Sequence, residues 1–392
     1  MFRDLEKKPK LLRITTVALS LDKLLEGQLS YMSNYFDVEA VCSPSNTIDR
    51  IAKREGTTIH EIPMHRGISP LRDIISIFRL VKLIRKIKPD VMHSHTPKAG
   101  LVAMIAGKIC GVKYSLHTVA GLPLEVAKGF KRKILLAVER LIYRLAYRVY
   151  PNSYGLQDFI LKNKLIYPEN KQKVVARGSS NGINLDHFKT TDSISREAEL
   201  IKRTNNISKE NLVLTFVGRL VKDKGIEELI FAFERLHKYH GHVKLLVVGP
   251  FEEKRDPISN EAKQLLSNHE SIIPVGLQMD IRPYLACTDI FVFPSYREGL
   301  PNVVLQAGAY GLPLIGTSII GTQDIVKHNV NGYLVKARSQ DELLMAMLHL
   351  IEHPDLRTRI GAKLKETVYS QYDQKLVWES LKNEYFEILK LH

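Results

Sequence analysis

Short apolar runs alternate with longer amphipathic stretches along most of the 392-residue chain. A short apolar run bounded by turn residues is typical of a buried strand, whereas apolar residues at i, i+3 and i+4 are typical of a helix. The pattern predicts strands at residues 11–19, 38–42, 91–95, 114–118, 149–152, 174–177, 212–218, 243–249, 290–294 and 312–317. It predicts helices at residues 28–36, 74–87, 99–109, 128–148, 226–239, 302–310 and 374–392.

Strands followed by helices in regular alternation are typical of βαβ units and a parallel sheet. The alternation stops in the polar stretch 190–206, which we interpret as a linker or a surface helix, and it starts again at residue 212. We therefore predict an α/β protein with two doubly wound, Rossmann-like domains. A chain of this length is long enough for two domains.

Polar residues follow the predicted strand 290–294, in the loop Ser295-Tyr296-Arg297-Glu298-Gly299-Leu300. Pro301 suits the first position of the next helix, and Gly311 suits its left-handed C-terminal cap. In such a unit the ligand lies beyond the carboxyl end of the strand, where amides at the helix start favour a phosphate. Glu298 adds an acceptor for sugar hydroxyls at the same place.

The segment from Ser295 to Asn302 resembles the donor-binding motif of retaining GT-B glycosyltransferases, glycosyltransferase family 4. That motif has a Glu, seven residues and a second Glu, and this chain has Gln306 at the second position. The resemblance implies that Glu298 contacts the donor sugar, with Gly299, Leu300, Pro301 and Asn302 around it. By hypothesis Gln306 holds the ribose; alternatively, it is a surface residue of the helix.

The loop Gly218-Arg219-Leu220-Val221-Lys222-Asp223-Lys224-Gly225 resembles the second diagnostic motif of that family. The resemblance implies that Arg219 and Lys224 hold the donor diphosphate. Two cations beside a helix start can offset a diphosphate without a metal, and Gly218 permits a close backbone approach. The family also implies base contacts from Gly276, Leu277 and Asp280, and a further donor loop at Gly321 and Thr322.

The resemblance covers nearly the whole chain and sets the expected domain boundaries. Residues 1–185 would form an acceptor-binding domain and residues 186–373 a nucleotide-sugar-binding domain, the two facing across a cleft as in the GT-B fold. Residues 374–392 would form a helix that crosses back to the N-terminal domain.

Histidines lie near the ends of two predicted strands of the first domain, at His93, His95 and His117. By resemblance, His117 is the histidine near the donor sugar and the reacting bond, although a lone histidine at a strand end is often structural. The spacing of His93 and His95 is compatible with a metal pair, but no carboxylate nearby completes such a site.

The positive charge is concentrated in residues 1–185, with 31 Lys and Arg against 15 Asp and Glu. Much of it falls in the predicted helix 128–148, where Lys128, Lys131, Arg132 and Lys133 open a basic amphipathic stretch and Arg140, Arg144 and Arg148 follow on one face. Such a helix is a candidate for lying on an anionic membrane. The alternatives are nucleic acid and a merely solvated basic surface.

Two uncharged or apolar stretches, 11–21 and 299–323, are not predicted to span a membrane. Arg13 interrupts the first, and prolines and glycines break the second. Three widely spaced cysteines, Cys42, Cys110 and Cys287, offer neither a metal nor a disulfide framework, which favours a reducing compartment.

We therefore expect a retaining hexosyltransferase that uses a nucleotide-diphosphate sugar, with a UDP-sugar favoured. It would need no cofactor and no metal, because the sequence has no Asp-x-Asp motif. The acceptor would be a polyprenyl-diphosphate-linked or other glycan for surface polysaccharide, and the location cytoplasmic, peripheral at the inner face of the plasma membrane. A nucleotide-sugar epimerase of the same fold is the alternative. A nucleic-acid-binding protein is a further alternative, but the sequence contains no nucleic-acid-binding motif that supports it.

Overall fold

The computed structural model describes residues 8–65, 67, 69–125, 127–252 and 256–391. The chain divides into two compact units, one containing the residues up to Gly182 together with those from Gln374 onward, and the other containing Ile183–Asp373. Each unit has one six-stranded sheet in which every strand pair is parallel.

The first unit has the strand order β3-β2-β1-β4-β5-β6. Its strands are β1 (Lys10–Val17), β2 (Asp37–Ser43), β3 (Thr58–Glu61), β4 (Val91–His95), β5 (Tyr114–Val119) and β6 (Arg148–Pro151). Its helices are α1 (Gln28–Met32), α2 (Ile48–Glu55), α3 (Pro70–Ile87), α4 (Pro97–Cys110), α5 (Gly129–Leu145) and α6 (Tyr154–Lys162).

The second unit has the order β12-β11-β10-β7-β8-β9, which is the same order counted from its own first strand. Its strands are β7 (Leu212–Val217), β8 (Val243–Val248), β9 (Ile272–Gly276), β10 (Ile290–Phe293), β11 (Leu314–Thr317) and β12 (Tyr333–Val335). Its helices are α7 (Asp192–Thr204), α8 (Ile226–His237), α9 (Asn260–Asn268), α10 (Arg282–Ala286), α11 (Asn302–Ala309), α12 (Thr322–Ile325), α13 (Gln340–Glu352) and α14 (Pro354–Gln371). The predicted class, two doubly wound α/β sheets, is confirmed.

The last helix, α15 (Gln374–Leu389), packs in the first unit. Its buried Tyr385 lies edge-on to Phe36, with ring centroids 5.6 Å apart. Glu384 accepts hydrogen bonds from Arg148 and from Tyr150, whose hydroxyl lies 3.1 Å away. The terminal segment thus supplies part of the core of the first sheet.

Three local predictions were wrong. Arg148 belongs to β6 and not to a helix, because Glu384 fixes it there and α5 ends at Leu145. Residues 174–177 form no strand, since Ala176 has a left-handed φ of 52° that breaks the extended backbone. Pro301 is the N-cap of α11 and not its first helical residue, with an extended ψ of 107°.

None of the helices in the described part of the chain is both long and apolar enough to cross a membrane.

Candidate functional site

The topology of the second unit brings two loops together. β7 and β10 are neighbours, although two further strands separate them in sequence, so the sheet reverses its winding between them. The loop after β7 carries Arg219 and Lys224, and the loop after β10 carries Glu298. Ligands of doubly wound sheets bind at this reversal, beyond the carboxyl ends of the strands.

Lys224 and Glu298 form an ion pair between these two loops. Both side chains are about four-fifths buried, so the pair is only partly screened by solvent. The hydroxyl of Ser295 donates to the same carboxylate oxygen, Oε1 of Glu298, at 3.0 Å. An ammonium group has three donors, so Lys224 can neutralise Glu298 and still offer N–H groups to an anion.

Arg219 pairs with Glu252 and is half-exposed. The loop that carries it is held from the far side by Asp256, whose carboxylate accepts from the amide of Asp223 at 2.8 Å. Asp223 in turn accepts from Arg297 at 3.1 Å, which joins the two site loops a second time. The first loop is therefore tied at Asp223 to the loop that carries Glu298.

Two glycines permit the close packing of these loops. A Cβ on Gly225, where φ is 66°, would lie 2.0 Å from the carbonyl oxygen of Pro294. A Cβ on Gly249 would lie 1.8 Å from the carbonyl oxygen of Gly218. Both distances are far below van der Waals contact, so only glycine fits at either position.

The start of α11 completes this side of the site. The first helical hydrogen bonds run from the amides of Val304 and Leu305 to Pro301, which leaves the amides of Asn302 and Val303 without a helical acceptor. Gly299 and Leu300 are buried beneath this turn, and a Cβ on Gly321 would lie 2.3 Å from the Gly299 carbonyl oxygen. The predicted donor loops therefore touch.

Gln306 is half-buried on α11, one turn beyond Asn302. Within the described part of the chain its side chain makes no hydrogen bond to another residue, so its amide is free to meet a ligand. Of the residues expected near the base, Leu277 is exposed, whereas the carboxylate of Asp280 is engaged by Arg282 at 2.5 Å.

His117 belongs to the first unit and is buried, with Nδ1 2.9 Å from the hydroxyl of Ser94. Its ring packs against α4, where a Cβ on Gly100 would lie 2.4 Å from it. Burial lowers the pKa of His117 to about 4, so the imidazole is neutral at pH 7. Its catalytic role stays a prediction.

His93 and His95 stack in the same unit with ring centroids 4.5 Å apart. Tyr385 and Thr118 occupy the two ring nitrogens of His93, and Arg13 occupies Nε2 of His95. Within the described ranges, no group of three or more His, Cys, Asp and Glu residues could hold a metal.

Sequence reasoning missed three residues that organise the site: Ser295, Asp223 and Glu252. Ser295 and Asp223 stood inside the two motifs, and their polarity beside charged residues was a usable signal. Glu252 follows β8, and no pattern connects it with Arg219 before the loops are folded together.

Two family models match the chain. Residues 197–367 match the model described as "Glycosyl transferases group 1", and residues 31–178 match the "Glycosyl transferase 4-like domain". Together they cover both units.

Among curated proteins, the capsular polysaccharide biosynthesis glycosyltransferase CapM of Staphylococcus aureus is 31% identical over 385 residues, which is 98% of each chain. The UDP-Gal:alpha-D-GlcNAc-diphosphoundecaprenol alpha-1,3-galactosyltransferase of Escherichia coli is 26% identical, with 81% of this chain and 80% of that protein covered. Among solved structures, HepE of Anabaena in complex with UDP and glucose has a TM-score of 0.82 at 18% identity, covering 97% of this chain and 100% of that one.

Proposed function

The chain belongs to the GT-B glycosyltransferases of family 4, and from this membership we propose that it transfers a hexosyl group from a UDP-sugar to a polyprenyl-diphosphate-linked glycan with retention of configuration. The product would serve capsular or other surface polysaccharide synthesis. The observation that carries the proposal is the Lys224–Glu298 pair between the loops at the sheet reversal.

The charges of this site suit a diphosphate leaving group. A bare Glu298 carboxylate would repel an anionic donor, and Lys224 removes that repulsion while keeping donors for a phosphate oxygen. Arg219 is half-exposed and can exchange Glu252 for the second phosphate. The free amides at the start of α11 add fixed positive dipoles.

In this mechanism the bond between the anomeric carbon and the diphosphate oxygen breaks as the acceptor hydroxyl attacks from the same face. The acceptor's proton passes to an oxygen of the departing diphosphate, so no protein base is required. Arg219, Lys224 and the α11 amides stabilise the negative charge that develops on the leaving group. Glu298 accepts hydrogen bonds from the donor sugar, and Gln306 holds the ribose.

The choice of acceptor rests on the relatives. The Escherichia coli relative acts on a diphosphoundecaprenol-linked sugar by its name, and so does a relative in Campylobacter jejuni that is 25% identical over 83% of this chain. A lipid-linked acceptor requires the enzyme to reach a membrane surface.

A surface on the first unit is suited to contact with a membrane. α3 exposes an apolar stripe of Leu71, Ile74, Ile75 and Phe78 at helical spacing, with Leu71 79% and Phe78 70% exposed. Exposed Arg72, Arg79 and Lys82 flank this stripe. α5 begins with the exposed residues Phe130, Lys131 and Lys133, and both helices pack on α4. Apolar side chains ringed by cations fit an anionic bilayer, which supports a peripheral position at the inner face of the plasma membrane.

The test is a transfer assay with purified protein. UDP-glucose, UDP-galactose, their N-acetyl forms and a GDP-sugar are screened by thermal shift, and binders are then incubated with a short-chain prenyl-diphosphate N-acetylglucosamine. We expect one UDP-sugar to stabilise the protein and to yield a disaccharide with a retained anomeric configuration. Interconversion of the UDP-sugar without acceptor would indicate the epimerase instead, and an inverted product would overturn the mechanism.

A further inference from the structure

Arg13 lies in β1 and is fully buried. Its Nη1 donates to the hydroxyl of Tyr385 at 3.0 Å, and its Nη2 donates to Oε1 of Gln28 at 2.5 Å and to Nε2 of His95 at 2.8 Å. All three partners are neutral, and no ion pair joins Arg13 to a carboxylate within the described ranges. A buried guanidinium without a counter-charge is strongly destabilising, so this arrangement is electrostatically incomplete.

The hydrogen bonds of Arg13 fix where the protons of its neighbours lie. A guanidinium cannot accept, so Nε2 of His95 is the acceptor and the proton of the neutral ring is on Nδ1. That Nδ1 is buried and has no partner. Burial holds the pKa of His95 well below its ordinary value, in keeping with a neutral ring.

A second chain of hydrogen bonds starts from Arg13. Tyr385 accepts from Arg13 and therefore gives its proton to Nδ1 of His93, 2.5 Å away. The proton of His93 is then on Nε2, which donates to the hydroxyl of Thr118 at 2.7 Å. The Thr118 hydroxyl must direct its own proton elsewhere.

The two chains of hydrogen bonds end at His95 and Thr118, which both line one small cavity of about 20 Å³. This volume has room for a single small ligand. It lies at the carboxyl ends of β4, β5 and β6, and its polar lining is His95, Thr118, Asn152, Ser179 and Ser180. The hydroxyl of Ser180 is a second buried group without a partner. Oδ1 of Asn152 is also unpartnered, while Nδ2 of the same amide donates to the carbonyl oxygen of Ala120 at 3.4 Å.

We propose that this cavity binds one small monovalent anion of the size of chloride. Nδ1–H of His95 and the hydroxyls of Thr118 and Ser180 donate to it, and its charge compensates Arg13. A water molecule could accept from the same groups but would leave the guanidinium uncompensated. Val377 and Leu381 of α15 also line the cavity, so the anion stabilises the docking of that helix.

Thermal unfolding of the full chain tests the site in sodium gluconate, chloride, bromide and phosphate at equal ionic strength. We expect a saturable rise in Tm with chloride and bromide relative to gluconate. Phosphate is too large for the cavity, so the rise in Tm that it gives through Arg219 and Lys224, or as an excluded salt, should be unchanged when a cavity donor is removed. A crystal grown in bromide should show an anomalous peak within hydrogen-bonding distance of His95 Nδ1.

Two conservative variants separate this site from general salt effects. Thr118→Val and Ser180→Ala each remove one donor, and each should weaken the apparent bromide affinity by at least about fivefold. Ser370→Ala, a change on an exposed helix surface of the second unit, should leave that affinity unchanged. If Thr118→Val fails to fold, Ser180→Ala still decides. Equal Tm values in gluconate and bromide, a response to phosphate alone, or no anomalous peak in the cavity of the bromide crystal would overturn the proposal.

Discussion

Lys224 and Glu298 are 74 positions apart in sequence and form an ion pair between two loops of one sheet. Neither loop could place these groups alone. The pair depends on the adjacency of β7 and β10 and on the glycine at 225, which lets the first loop pass against Pro294.

Lys224→Ala and Arg219→Ala should each lower kcat/KM by about 10–100-fold, since loss of a charge-assisted contact costs roughly 1.5–3 kcal/mol. Lys222→Ala is the matched control, because Lys222 is an exposed cation of the same loop. Steady-state rates with saturating acceptor check this. Equal losses in all three variants would show that the loop acts through its net charge alone.

Gln306→Ala should raise the donor KM by about 2–12-fold with little change in kcat, which corresponds to a neutral hydrogen bond of about 0.5–1.5 kcal/mol. Gln306→Glu should keep or lower KM, because a carboxylate can accept from both ribose hydroxyls. Donor titrations of the three proteins are the measurement. A wild-type KM in the alanine variant would place the ribose contact elsewhere.

Replacing Lys131 and Lys133 with Gln should weaken binding to anionic vesicles by roughly tenfold or more, at about 1 kcal/mol for each surface cation. Arg132 is left in place because it donates to Asn163 at 2.8 Å and contributes to folding. Lys209→Gln with Lys238→Gln, two exposed lysines of the second unit, is the control. Co-sedimentation with phosphatidylglycerol vesicles measures the effect, and unchanged binding would make this basic cluster a solvated surface.

Gly225→Ala should destabilise the second unit and reduce turnover together, since its Cβ would overlap the Pro294 carbonyl and its φ is left-handed. A loss of roughly 2 kcal/mol or more in the free energy of unfolding is expected. At Gly241 an added Cβ meets no atom within 4 Å, so Gly241→Ala should be close to neutral. Urea denaturation of both variants gives the comparison.

Burial raises the pKa of Glu139, on α5, to about 7. The folded state therefore binds this proton more tightly than the unfolded state, whose carboxyl titrates near about 4.3. The stability contributed by the protonated carboxyl is fully present below the unfolded-state pKa of about 4.3 and is lost as the pH rises through the folded-state pKa. Glu139→Gln should thus stabilise the protein by roughly 2–3 kcal/mol at pH 8 and by much less at pH 5. Glu169→Gln, an exposed acid of the same unit, should show no such difference between urea unfolding at the two pH values.

Much of the fold could be predicted because its signals are local. The strand 91–95 and the left-handed cap at Gly311 follow from neighbouring residues, and the structure confirms both. The pairing of Lys224 with Glu298 also had a signal, because both motifs follow strands and such loops share one edge of the sheet. Where a partner lay far away in sequence the reasoning failed, as it did for Arg148, which Glu384 holds in β6.

Arg13 is a second residue whose partners lie too far away in sequence to be predicted. In the sequence it looked like an interruption of an apolar run, and the structure shows it buried within the strand. Its acceptors, Gln28, His95 and Tyr385, come from three distant segments, and no periodicity relates them. A single cation in an otherwise apolar strand was the one available signal.

The position of α15 has a consequence for how the protein is made. During translation, the strands of the first unit leave the ribosome long before Tyr385 and Glu384 exist, with all of Ile183–Asp373 synthesised in between. Until then Arg13 lacks one acceptor, and Arg148 and Lys173 lack their shared carboxylate. The second unit can fold from a contiguous stretch of chain, whereas the first lacks α15 until residues 374–389 have been made. A released chain truncated after residue 373 should therefore show stronger protection from protease in the later unit than in the earlier one.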